Sequence, residues 1–165
     1  MSGPHRLYRP CGLFNSLQRL GKEEAVEYRR IKDTVFLRVD PDEDIMEALQ
    51  KTSEELGITL AEVNGLGALK AFTAGVYDTA EKAFHGQDFT GAFEVTSLHG
   101  TITTKDGKYY AHLHLCAGDE SGRVYGGHLT RAVVSATAEI VIRCIDGVVE
   151  RRFDPVTGLN IFMFP

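Results

Sequence analysis

Three of the chain's six histidines fall in one segment, AHLHLCAGDESGRVYGGHL, running from Ala111 to Leu129. His112 and His114 are two residues apart, and His128 follows a Gly-Gly pair. Side chains alternate between faces along a strand, so His112 and His114 project together while Leu113 and Leu115 project to the other side. Two imidazoles on one strand face can share a metal ion. His128, returned by a turn at Asp119–Gly122, supplies a third donor, and Gly126 and Gly127 permit a backbone path that a side chain would obstruct. Three neutral imidazoles suit zinc, with bonds of about 2.0–2.1 Å, and leave a fourth position for water or a substrate oxygen. A cation held that way lowers the pKa of its water or polarises a carbonyl. Read without a metal, the same pattern is a pair of histidines on the solvent side of an amphipathic strand plus one in a loop.

Around this trio the other candidates take supporting roles. Glu94 and Glu139 lie within apolar strand patterns and are candidates to orient a ligating imidazole through its second ring nitrogen. Arg131, just after GGHLT, is a candidate to grip a substrate carboxylate with two parallel N–H groups, or else forms a surface salt bridge. Cys116 shares the face of His114 and is expected to act as a small buried apolar residue. His99, on a neighbouring predicted strand, is read as packing, and His5 and His85 as solvated. No phosphate-binding loop is present, sequence order alone assembles no Ser-His-Asp set, and GRVYGGH is not a dinucleotide-binding fingerprint.

The elements that must position these residues follow from periodicity. TVFLRVD (34–40) alternates and is rich in β-formers, so it reads as a strand. PDEDIMEALQKTSEELG places its acids in the first turn, where the helix dipole favours them, and has an apolar stripe at Ile45, Leu49 and Leu56 and Gly57 as a stop, which together predict a helix. The period then changes to two. Residues 58–67 and 71–78 read as two strands around a glycine-bearing bend, and 79–91 as a polar loop. Strands follow over 92–104 and 108–118 with a hairpin turn at Lys105-Asp106-Gly107. The last predicted hairpin joins 135–145 to 148–154 across Asp146-Gly147, and PVTGLNIFMFP closes the chain with an apolar edge. One helix among many antiparallel strands predicts an α+β domain, with a largely antiparallel, barrel-like sheet and the one main helix packed on it. Leu13, Phe14, Leu17 and Leu20 sit at helical spacing within residues 1–33, which read as an N-terminal extension ahead of a domain at 34–165.

Composition narrows the function classes. The chain has 165 residues with 43% hydrophobic side chains, enough for one folded core. Residues 1–32 carry a net charge of +4 and the remainder a net of −9. Such an acidic body repels nucleic-acid phosphates unless its charges segregate. No apolar run is long enough to span a bilayer and no signal peptide is expected. Cys11, Cys116 and Cys144 have no CxxC spacing and read as reduced thiols of a cytoplasmic protein.

Taken in order, VNGLGAL, FEVTSLHGTI, HLHLCAGDESGRVYGGHL, TAEIVI and FDPVTGLNIF resemble the plant and prokaryote conserved (PPC) domain over residues 34–164. The H-x-H pair with a downstream G-G-H is the specific part. The resemblance implies an α+β domain that assembles as a homotrimer and, for single-domain prokaryotic members, a proposed DNA-binding or regulatory role. It also implies a metal, most often zinc, at His112, His114 and His128. Plant members join the domain to Arg-Gly-Arg-Pro segments that enter the minor groove, and this chain has none, which counts against direct DNA binding. The fold also resembles that of acetolactate decarboxylase, a zinc enzyme. A zinc-dependent lyase or hydrolase acting on a small oxygenated ligand is therefore the alternative expectation.

Overall fold

The computed structural model describes residues 27–164. The elements, in chain order, are β1 (Glu27–Ile31), β2 (Thr34–Val39), α1 (Ile45–Leu56), β3 (Ala61–Asp78), β4 (Ala83–Lys105), β5 (Lys108–Asp119), β6 (Val124–Cys144), β7 (Glu150–Asp154) and β8 (Leu159–Met163). One helix and eight strands make an α+β domain dominated by sheet. The stretch holding Cys11, His5 and the expected short helix at Leu13–Leu20 lies outside the described residues. Among the described residues, no helix is long and apolar enough to cross a membrane.

Four long strands close on one another. β3 pairs with β4 and with β6, β4 pairs with β5, and β5 pairs with β6, all antiparallel. The ring is uneven: β5 and β6 share only the five pairs from His114–His128 to Gly118–Val124. From this ring the sheet extends through β2 and β1 on the β6 side. On the β4 side it extends through β7, in parallel pairing, and then β8.

Alternation builds the core. Val35, Leu37 and Val39 of β2 face inward opposite Ile142, Ile140 and Ala138 of β6. Val63, Leu69, Phe72, Leu113 and Leu115 join them, all almost fully buried. The helix covers this core with Ile45, Ala48 and Leu49. Its first turn is capped by Asp44, whose Oδ1 accepts from the N–H groups of Met46 (2.7 Å) and Glu47 (3.3 Å). Asp44 Oδ2 accepts from the Ala132 N–H of β6 at 3.0 Å, so the cap also fixes the helix to the sheet. Gly57, at φ 63°, ends the helix in the left-handed conformation expected of a terminal glycine.

Several predicted elements take a different form. Residues 61–78 are one strand, not two, because bulges between Gly65 and Gly67 and between Leu69 and Ala71 absorb the bend without ending the pairing. The polar stretch read as a loop over 79–91 is strand from Ala83 onward. It pairs with Phe72–Asp78 while most of its side chains stay exposed, so it carries no alternating pattern to betray it. Asp146-Gly147 does not join a hairpin: β7 pairs with β4 and β8, and the final hairpin turns through 155–158. Residues 27–31, placed in the extension by the sequence reading, pair with β2 as β1. The hairpin turn after Lys105 is as expected, with Asp106 at φ 54° and Gly107 at φ 70°.

Candidate metal centre

The register of β4, β5 and β6 brings the histidines together. His114 of β5 stands opposite His128 of β6, and His112 lies two residues along the same face of β5. Leu113 and Leu115 point into the core at 0% and 1% exposure, as alternation requires. The imidazole centroids are 5.3 Å apart for His112 and His114, 5.0 Å for His112 and His128, and 5.7 Å for His114 and His128. One potential ligand nitrogen from each lies within 4.8 Å of the others. A tetrahedral zinc site with bonds near 2.0–2.1 Å needs its nitrogens about 3.3 Å apart, so small side-chain rotations would close this set onto an ion.

The glycines ahead of His128 have a steric reason. Gly127 is at φ 149°, and a Cβ there would collide with the backbone of Gly75 on β3. A Cβ on Gly126 would collide with the carbonyl of Leu115 on β5. Close approach of β6 to both neighbours sets His128 beside the β5 pair, and side chains at these positions would force the strands apart.

Burial favours neutral imidazoles. It pulls the pKa of His112 down from 6.5 to about 4, helped by the nearby His128, Arg151 and His114. Burial, and then His114, lowers His128 as well. Neutral rings are the form that ligates a cation, so at neutral pH little proton competition opposes binding.

The three histidines form part of the wall of a cavity of about 900 Å³. Phe84 meets the His128 ring edge to face at 5.6 Å. Tyr110, Val76 and Phe162 extend the wall, and Arg151 of β7 completes it. Sequence reading placed 148–154 on a strand but gave Arg151 no role, because nothing in Glu150-Arg151-Arg152 marks its middle residue as the buried one. Arg151 is in fact 6% exposed. It is the inward position of a short strand, and the parallel pairing of β7 with β4 that buries it leaves no local trace in the sequence.

The remaining candidates do not reach the cavity. Arg131 lines a separate cleft beside the start of α1, with Asp42, Glu43 and Lys51. The pairing of β6 with β3 skips Thr130, so Arg131, like His128, is turned from the core, but it opens on the cleft beside α1 and not on the histidine cavity. Glu139 is exposed on β6 opposite Arg38 of β2, eleven residues from His128. Glu94 is exposed on β4, separated from His99 by a bulge at Thr96. Cys116 is exposed, not buried as expected, because the face it shares with His114 is the one turned from the core. His99 stands opposite His114 with ring centroids 6.4 Å apart, and its Nδ1 lies 3.1 Å from the Ser97 hydroxyl. His85 is solvated and lies 3.0 Å from Glu81.

Fold and centre together define a one-helix β-ring domain with a three-histidine cluster facing a cavity. The chain belongs to the Plants and Prokaryotes Conserved (PCC) domain family, whose model matches residues 26–146. A crystal structure of a proposed DNA-binding protein from Bacteroides thetaiotaomicron superposes with a TM-score of 0.82 at 27% identity, covering 84% of this chain and 97% of that one. A metal-containing protein from Archaeoglobus fulgidus superposes with a TM-score of 0.74 at 32% identity, covering 86% of this chain and 99% of that one. The Synechococcus bifunctional protein GlmU is 30% identical over 125 residues, which are 74% of this chain. The match spans only 19% of that curated relative's length. Acetolactate decarboxylase from Bacillus subtilis shares the fold alone, at a TM-score of 0.51 and 17% identity.

Proposed function

We propose that this chain is a zinc-binding PCC-domain protein whose centre, formed by His112, His114 and His128, keeps one coordination position for a ligand oxygen. The observation that carries this is the convergence of three ring nitrogens within 4.8 Å on the wall of a cavity. The metal-containing relative from Archaeoglobus fulgidus supports it. When bound, the ion would supply an electrophile able to polarise a ligand oxygen at its free vertex. The chain's own residues do the rest: β5 and β6 orient the imidazoles, burial keeps His112 neutral, and Phe84 and Phe162 give the cavity apolar wall.

The family resemblance supports a cytoplasmic homotrimer, and exposed apolar side chains on β8, among them Phe162 and Met163, offer surface for self-association. Relatives named as proposed DNA-binding proteins support a regulatory role on DNA. The net charge of −9 over residues 33–165 opposes that role. The cavity beside the histidines favours a second reading, a zinc-dependent lyase or hydrolase for a small oxygenated substrate.

Metal analysis of the full chain purified without added zinc tests the shared premise, with one zinc per chain expected. The His112→Ala/His114→Ala variant is expected to lose the metal and keep its circular dichroism spectrum. Metal-free wild-type protein would end this reading, and an unfolded variant would make the ion a structural one. Light scattering should give three chains per particle. A gel shift that is absent even at low salt removes the DNA role.

A further inference from the structure

Arg151 is the one charged side chain of the cavity wall whose ionic partner is missing among the described residues. It is 94% buried, yet no described carboxylate lies within ion-pair distance of it. Burying a guanidinium without a counter-charge is unfavourable. Its position is nonetheless strongly enforced. Nε donates to Thr103 Oγ1 at 2.8 Å, Nη1 to the Asn160 carbonyl at 2.9 Å, and Nη2 to Thr101 Oγ1 at 3.4 Å. The guanidinium carbon also lies 4.8 Å from the Tyr110 ring centroid and 4.4 Å from that of Phe162. A guanidinium has five N–H groups. Three are used, so Nη1 and Nη2 each keep one.

Those two free donors match the two oxygens of a carboxylate in a bidentate contact. Thr101, to which Arg151 donates, is the cross-strand partner of His112. The charged fork therefore sits one strand away from the histidine cluster and lines the same cavity. The rest of the wall is largely apolar, with Val76, Phe84, Leu159, Ile161 and Phe162 beside the polar Tyr77, Tyr110, Thr130 and Asn160. Among the described lining residues Arg151 is the sole permanently charged side chain, so the wall offers one guanidinium for one carboxylate.

We propose that Arg151 binds the carboxylate of a small apolar oxo or hydroxy monocarboxylic acid in this cavity, with the ligand's second oxygen directed to the histidine centre. The proposal deepens the zinc reading and rests on it for the second oxygen, whereas the carboxylate contact needs Arg151 alone. A purely structural Arg151, tying β7 and β8 to β4, would have the same hydrogen bonds but no ligand.

Isothermal titration of the full-length, zinc-loaded protein with 2-oxobutyrate, methyl 2-oxobutyrate, butyrate and inorganic phosphate separates these cases. Expected are binding of 2-oxobutyrate, no binding of its uncharged methyl ester, and weaker binding of butyrate, which lacks the second oxygen. Arg151→Lys keeps the charge without the fork, and Arg151→Gln removes both. Affinity for 2-oxobutyrate should fall about tenfold or more in each, as expected for charge-assisted hydrogen bonds, with zinc content unchanged. If Arg151→Gln does not fold, the acid and ester comparison on the wild-type protein still decides. Equal binding of acid and ester, unchanged affinity in folded Arg151 variants, tighter binding of phosphate, or no binding of the acid at millimolar concentration each overturns the proposal. A protein that takes no zinc but binds 2-oxobutyrate through Arg151 refutes the metal reading and leaves the carboxylate site standing.

Discussion

The two ends of β6 contrast sharply. From Ala138 to Ile142 the strand is paired on both sides, with β2 and with β3, and its inward residues Ala138, Ile140 and Ile142 are at most 1% exposed. From Val124 to His128 it meets β5 over only five pairs, and its side chains are half-buried or exposed. One strand thus serves two purposes. Where apolar side chains alternate without interruption, it anchors the core. Where two glycines and a bulge at Thr130 interrupt the pattern, it gives up packing to place an imidazole beside β5 and to open a cavity. Stability and chemistry are separated along a single piece of backbone.

Ile140→Ala breaks the anchored end and should have the largest effect. Removing this buried side chain is expected to cost about 2–5 kcal/mol in urea unfolding. A loss well under 1 kcal/mol would mean that this end does not anchor the core. Gly127→Ala attacks the other end. With φ at 149° and Gly75 in the way of a Cβ, a cost of about 1–3 kcal/mol is expected. Zinc affinity should fall with it, because displacement of β6 moves His128 from its partners; unaltered zinc affinity would uncouple the glycines from the centre.

A pH titration of the metal-free protein sharpens the contrast further. The folded pKa of His112 lies near 4, below its ordinary 6.5, so the unfolded chain takes up this proton first as pH falls. The resulting stability is intact above about pH 6.5 and declines as pH drops from there toward 4. The His112→Asn variant should show a flatter thermal midpoint between pH 6.5 and 5, and identical curves would remove burial of this imidazole as the cause. The smallest effect belongs to Glu139→Ala, an exposed position on the outward face of the anchored end. It should change stability by no more than about 0.5 kcal/mol and leave zinc stoichiometry alone; loss of zinc would return Glu139 to the centre.

Local chemistry made much of this legible before any coordinates. The end of α1 follows from Gly57, the turn after Lys105 from Asp-Gly, and the shared face of His112 and His114 from strand alternation. Each depends on interactions within a few residues. Bulged β3 was harder to read, since a bulge preserves pairing across an apparent break. The exposed half of β4 was hidden because a strand solvated on both faces has no hydrophobic period.

What the amino-acid sequence determined by itself is the ligand type, the pairing of two imidazoles on one face and the glycines that let a third approach. Only the tertiary structure decided which charged group joins them. Arg131 is near His128 in the chain but lies across a bulge from it, while Arg151, from a strand added in parallel to β4, fills the cavity wall. The physical reason is that alternation and turn preference act between near neighbours, whereas strand order is set by how the whole sheet buries its apolar face.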